Sequence, residues 1–366
     1  MKTKLKNIVL VAAAALFVFG FAAWSILKPD EPESLSERRP LSTLPDINGE
    51  AILNGSFMAD FEKYSLDQFP LRDEFRSLKA MTAFYVLGQK DNNGVYALNG
   101  SISKLEYPLN EKSLAYAAKR FRYVYDSYIA GTDMKVYFSV IPDKNYFMAE
   151  DGGYPSINYE ELISYMRENL DFADYIDITQ LLEISDYYRT DTHWRQEKIE
   201  DVAQYLGKEM GVALSTKYIK KDAGVPFYGV YYGQLALPIE PDDFYYLDSD
   251  IFNSCKAYDH ETNSYIPIYD LNRAQGKDPY EMFLAGPKSV ITIENPNANS
   301  QKELILFRDS FGSSIAPLLL EGYSKITLVD IRYISPNLLD QFVQFEAQDV
   351  LFLYSTSVLN NSETIK

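Results

Sequence analysis

Residues 8–27, IVLVAAAALFVFGFAAWSIL, form an uncharged apolar run of 20 residues behind Lys2, Lys4 and Lys6. That length crosses a bilayer as a helix. The lysines favour a cytoplasmic N-terminus, which leaves the bulk of the chain outside and Trp24 near the far interface. A cleaved signal peptide is the competing reading, with Gly20-x-Ala22 as a small-x-small pattern. Residues 1–28 are therefore expected to be an anchor or a signal.

Residues 29–50 are polar and proline-rich, as in a stalk. The stretch FMADFEKYSLDQFPLRDEFRSLKAMTAFYVL predicts a helix, a break at Pro70 and a second helix, so 29–92 reads as stalk and wrapping helices. GVYALNGSISKL then predicts a hairpin turning at Asn99-Gly100. From residue 93 to 212 strands and helices alternate: a helix over 111–129, an apolar strand KVYFSVIP at 135–142, and a helix over NYEELISYMRENL. A short strand DYIDI, a helical piece QLLEI and a long amphipathic helix RQEKIEDVAQYLGKEMG follow. Residues 213–300 break the pattern, being rich in tyrosine, glycine and turn residues, and read as a β-rich insertion. From 301 to 366 the alternation resumes, with strands ELILF, KITLVDI and DVLFLY and helices SFGSSIAPLLLEGY and SPNLLDQFVQFEA. Such alternation predicts an α/β fold with a mainly parallel sheet flanked by helices.

Composition narrows the function. The formal net charge is −17, and four of the lysines flank the N-terminal apolar run, so the remaining chain is more acidic still. An acidic surface repels phosphate backbones, which sets nucleic acid aside as a partner. One cysteine, Cys255, excludes an intrachain disulfide and a cysteine metal cluster, and two histidines exclude a histidine-rich one. No cofactor or metal is expected.

Two short stretches carry candidate chemistry. RDSFGSS places Asp309 and Ser310 where a buried strand ends and a helix begins. A serine there projects its hydroxyl from the sheet edge, beside the free N–H groups of the helix start. Its hydroxyl is a weak nucleophile and needs a base. Only His193 and His260 are available. His260 lies in the polar stretch AYDHETNS, which looks like an exposed turn. His193 lies in TDTHW, between the α/β elements, two residues after Asp191. A carboxylate so placed orients a histidine base. Taken singly, Asp-Ser is a common helix N-cap and His193 an ordinary structural residue; the pair within one α/β scaffold makes the catalytic reading competitive. Lys144 after the strand end VIP, Tyr188 and Arg189 before the motif, and Arg308 beside it are candidates for substrate binding.

The stretches ERRPLSTLPD, DQFPLRDEFR, VIPDKNYF, RTDTHW, KDPYEMFL and RDSFGSS together resemble the DHHW family, relatives of alginate O-acetylation proteins within the SGNH hydrolase superfamily. The resemblance implies an SGNH-like fold in permuted order, with Asp191 and His193 ahead of Ser310. It implies Ser310 as nucleophile, His193 as base and Asp191 as its orienting acid. The family's first motif histidine is Thr192 here, so His193 is the one base the motif offers.

The expected function is an extracytoplasmic O-acyltransferase, with acetyl as the acyl group, modifying a cell-surface or secreted polysaccharide through a serine acyl-enzyme. The resemblance further implies a membrane-bound O-acyltransferase partner. A carbohydrate acetyl esterase would use the same residues with water as acceptor. A non-catalytic polysaccharide-binding or assembly protein, offering some of the 30 tyrosines as sugar platforms, is the third reading.

Overall fold

The computed structural model describes residues 2–366, which fall into two compact units. One comprises Met1–Asn93 with Tyr232–Pro238, the other Gly94–Tyr231 with Ile239–Lys366.

The second unit is built on a sheet of eight strands: β1 (Val136–Ile141), β2 (Asp174–Tyr175), β3 (Lys256–Asp259), β4 (Ser264–Ile266), β5 (Val290–Glu294), β6 (Glu303–Arg308), β7 (Lys325–Val329) and β8 (Asp349–Ser355). Their spatial order is β4-β3-β5-β7-β6-β8-β1-β2. The run β7-β6-β8-β1-β2 is parallel throughout. β5, β3 and β4 extend it as an antiparallel edge. Within 213–300, therefore, three strands add to the large sheet, while Ile219–Phe227 and Asp242–Asp248 pair with each other.

The parallel strands read as continuous apolar runs because both faces are covered. Alternate residues serve opposite sides. Leu304, Leu306, Leu351 and Leu353 pack with Val202, Leu206, Ile315 and Leu319, from helices α4 (Glu200–Glu209) and α5 (Gly312–Leu319). Ile305, Phe307, Val350 and Phe352 pack with Leu114, Phe121, Leu162 and Met166, from α1 (Glu111–Val124) and α3 (Tyr159–Asn169). Between them in the chain lies α2 (Lys144–Gly152), which starts just past the end of β1.

The hairpin turns where the sequence indicates, with Asn99 at φ 51° and Gly100 at φ 83°. Two expected helices are shorter than their patterns. In RQEKIEDVAQYLGKEMG the first turn is 3-10 and the α-helix begins at Glu200. The buried Gln196 amide donates to the Ser314 carbonyl and the Tyr269 hydroxyl and accepts from Leu247 N–H, which ties this turn to its neighbours. In SPNLLDQFVQFEA only Pro336–Gln341 coils, as 3-10. Tyr128 holds the segment in place instead, donating to the Pro336 carbonyl and stacking on Phe345.

In the first unit the helix Lys2–Leu27 is long and apolar enough to cross a membrane. Helices Ser56–Asp67 and Arg72–Met81 flank the break at Pro70. The core between them is polar: Asp67 takes a two-pronged contact from Arg39, and Glu37 pairs with Arg72 and Arg76.

Candidate active site

β1, β6, β7 and β8 end at one edge of the sheet, the carboxyl edge where parallel α/β sheets present ligands. Asp143, Ser310, Asp330 and Ser355 come from these four ends. Asp309 staples two of them together: its Oδ1 accepts Phe311 N–H at 3.0 Å and its Oδ2 accepts Ser355 N–H at 2.8 Å. Ser310 therefore leaves β6 in a fixed turn, two residues before α5.

TDTHW reaches this edge as the tip of a tight return. Tyr188 N–H donates to the His193 carbonyl and Arg195 N–H to the Asp186 carbonyl, with Tyr187 bridged to Trp194. The fold thus brings His193 Nε2 to 2.7 Å from Ser310 Oγ, across 117 residues of chain. His193 Nδ1 lies 2.6 Å from Asp191 Oδ1. The same Asp191 oxygen accepts His193 N–H, and its Oδ2 accepts Val230 N–H at 2.8 Å. Asp191 is fully buried, His193 nearly so, and Ser310 is half-exposed.

The imidazole plane is set by stacking as well. Tyr280 lies flat on His193, with ring centroids 3.8 Å apart and planes 10° off parallel. Phe311 tilts against the ring at 4.9 Å. Tyr280 and Trp194 both donate to Ser314 Oγ at 2.8 Å, and that hydroxyl donates on to the Phe311 carbonyl. The base, its aromatic face and the nucleophile turn are thereby linked through one hydroxyl on α5. Burial holds the Tyr280 hydroxyl well above its usual pKa, so it stays protonated as a donor.

The tip is clamped from behind. Asp242 accepts the N–H groups of Arg189 and Thr190 and the Thr190 hydroxyl. Gly229 packs so closely that a Cβ there would lie 2.3 Å from Asp191 Cβ and from the Thr190 carbonyl oxygen. Lys144, at the start of α2, donates to the carbonyls of Tyr188, Arg189 and Asp191 at 2.6, 2.9 and 3.1 Å.

A cleft of about 200 Å³ opens over Ser310, with His193, Tyr280, Arg308, Arg332 and Tyr333 among its walls. Of the four substrate-binding candidates only Arg308 reaches it. Lys144 is buried and spends its ammonium on the three carbonyls, because those carbonyls form the inner side of the motif loop. Tyr188 is buried in an aromatic cluster with Phe227 and Phe244. The Arg189 side chain turns outward onto Asp242 and the Pro241 carbonyl. His260 is half-buried on the antiparallel edge, with Nε2 3.0 Å from Thr292 Oγ1.

Arg308 is almost fully buried, and burial lowers its pKa. Its Nη1 donates to the Asp309 carbonyl at 3.3 Å and stands 3.6 Å from Asp330. Arg332 takes both oxygens of that carboxylate, at 2.9 and 2.7 Å. Among the described residues, Arg308 Nε and Nη2 have no hydrogen-bond partner. The residues that sequence reasoning missed are Tyr280, Gly229, Asp242 and Ser314. Tyr280 lay inside KDPYEMFL, a stretch already singled out; the others carry no local signal, since their roles arise from packing. Among the described residues no cluster of three or more His, Cys, Asp or Glu side chains is placed to hold a metal ion.

Solved structures share this architecture. A DHHW family protein from Eubacterium siraeum DSM 15702 is 22% identical over 75% of this chain and 95% of its own, with a TM-score of 0.60. Bacillus cereus PatB1 is 18% identical over 74% of this chain and 98% of its own, with a TM-score of 0.56, and its form with a sulfonyl adduct superposes at 0.55. No curated protein matches the chain in sequence. The DHHW family model matches residues 79–329, a span that holds both TDTHW and RDSFGSS and most of the large sheet, so the chain belongs to the DHHW family.

Proposed function

We propose that the chain is an extracytoplasmic serine O-acyltransferase, most specifically an O-acetyltransferase acting on a cell-surface or secreted polysaccharide. The observation that carries this reading is the continuous contact Asp191–His193–Ser310 at the floor of an open cleft. The same contact weighs against a purely binding role. The resemblance to alginate O-acetylation relatives supports transfer to a sugar, and supports a membrane-bound O-acyltransferase as the partner that supplies acyl groups.

In the first half-reaction His193 Nε2 takes the Ser310 Oγ proton as Oγ attacks the acyl carbonyl carbon. Asp191 keeps Nδ1–H pointed at itself and stabilises the imidazolium that forms. The tetrahedral oxyanion collapses, and the donor's leaving group departs with the proton from Nε2. In the second, a sugar hydroxyl gives its proton to Nε2 and attacks the Ser310 ester. The serine then leaves as its hydroxyl, reprotonated by His193. The Phe311 N–H is engaged by Asp309. The oxyanion is therefore assigned to the Ser310 N–H, with the buried Arg308 guanidinium adding positive charge behind the same turn rather than a direct contact. A preorganised donor of this kind lowers the barrier because it needs no reorientation as charge develops.

The test is Ser310→Ala in the producing cell. Loss of polymer acetylation, with the variant still present at the membrane, is the expected result; unchanged acetylation refutes the proposal. Purified protein with an acetyl-ester dye separates transfer from hydrolysis. Turnover that rises strongly on adding oligosaccharide marks a transferase, and equally fast turnover without it marks an esterase.

A further inference from the structure

The first unit wears its apolar side outward. In helix Ser56–Asp67 the one buried residue is Asp67, bound to Arg39 and to Ser42 N–H. At 3.6 residues per turn, Asp60, Lys63 and Asp67 share one side and Phe57, Met58 and Phe61 lie well round from it, with the exposed Leu66 next to Lys63. Met58 is 64% exposed and Phe61 40%. Phe57, Phe61 and Tyr64 form a continuous ring stripe, with centroids 6.0 and 6.1 Å apart. The next helix repeats the arrangement: Leu78, 53% exposed, lies on the same side as Phe75. The helix Gly49–Leu53 buries none of its residues, and Ile52 and Leu53 face outward. Soluble surfaces rarely gather so many large apolar side chains without a partner.

The position of the N-terminal helix indicates what covers them. Phe21 stacks on Phe69 at 5.4 Å and meets Phe75 edge-on at 5.7 Å. Phe21 lies six residues before Leu27, where that helix ends. At about 1.5 Å of rise per residue it sits about 9 Å inside the outer end of the apolar run. If the run spans the hydrocarbon, Phe69 and Phe75 reach the same depth. Amphipathic helices lying in a membrane interface sink their apolar faces about 5–10 Å into the headgroup–acyl boundary.

We propose that the helical pair Ser56–Asp67 and Arg72–Met81 is a membrane-interface element, with Met58, Phe61 and Leu78 immersed in the outer boundary of the bilayer beside the spanning helix. The occupant of the apolar face is lipid. The proposal rests on the N-terminal helix being retained as a span.

The test uses the full chain in phosphatidylcholine vesicles, with Cys255→Ser as background. Single cysteines at Met58, Leu78, Lys63 and Val18 carry an environment-sensitive fluorophore. The expected result is blue-shifted emission at Met58→Cys and Leu78→Cys, quenched by lipid-borne doxyl groups. Lys63→Cys is expected to be quenched by aqueous iodide, and Val18→Cys by lipid alone. Iodide quenching at Met58→Cys and Leu78→Cys with Val18→Cys still in lipid overturns the interface element and leaves the anchor standing. Protection of these two sites from both quenchers overturns it in favour of a protein cover. A label at Val18→Cys exposed to iodide, or a chain that washes off the vesicles, removes the anchor and the proposal with it.

Discussion

His193 is held on all sides, and this makes its neighbours testable one at a time. Asp191→Asn keeps the size of the side chain but no longer orients Nδ1–H toward a carboxylate. Loss of this orientation in a serine triad costs about 10⁴-fold in turnover. A drop of roughly 10³- to 10⁴-fold is expected in acyl transfer, measured by single-turnover acylation of Ser310, with the far-UV spectrum retained. Arg308→Gln removes the buried positive charge behind the Ser310 turn, next to the proposed oxyanion position. Deleting a direct oxyanion donor costs about 10²–10³-fold in kcat; a charge acting from behind the turn is expected to cost less, about 10-fold for a neutral aryl acetate, with KM changing little. An equal loss of melting temperature and activity would instead make Arg308 a structural residue.

The elements behind the motif set its geometry without touching the substrate. The strand-to-helix turn at Gly229 lies flush against Asp191. Gly229→Ala must push that loop away, and a misplacement near 1 Å costs about 10²-fold in rate. Activity is therefore expected to fall by at least about 10²-fold, with the denaturation midpoint lowered as well, because the atoms that must give way are backbone. α2 acts through Lys144. Lys144→Met fills similar volume but strands the Tyr188 and Asp191 carbonyls, while that of Arg189 keeps the Ile102 N–H; buried unmet polar groups cost about 1–3 kcal/mol each. A stability loss of about 2–4 kcal/mol, read by urea denaturation, is expected. The same helix start carries a pH signature. Burial, reinforced by Glu106, pushes the Asp143 carboxyl up to about 6. Its folded pKa lies above the unfolded 3.8, so the folded state holds the extra proton between about 4 and 6. This contribution to stability is complete below the unfolded pKa and is lost as pH rises through about 6. Asp143→Asn should flatten that limb of the stability profile.

For the whole molecule the governing features are an acidic body and one apolar N-terminal helix. A retained span keeps the chain in the pellet after alkaline carbonate washing and releases it only with detergent. Recovery of soluble chain lacking the first two dozen or so residues would identify the helix as a cleaved signal. Either result is compatible with an extracytoplasmic site.

The sequence by itself determined the parts whose physics is local. Apolar runs of β-branched and leucine residues specified β1, β6, β7 and β8, Asn99-Gly100 specified a turn with two positive φ angles, and the uncharged run 8–27 specified a spanning-length helix. Two scarce histidines and the Asp309-Ser310 step between a buried apolar strand and a helix reduced the candidate chemistry to a few residues. Tertiary structure decided everything that depends on distance between remote segments. It brought His193 within 2.7 Å of Ser310 across 117 residues. It turned Lys144 and Arg189 from candidate ligands into supports of the motif loop, and it laid Tyr280 on the imidazole. It also curtailed the helices after TDTHW and after Pro336, where buried side-chain contacts outweigh the helical pattern. Periodicity reports which side of an element is apolar; what that side meets, whether core, cleft or bilayer, is set by neighbours that lie far away in the chain.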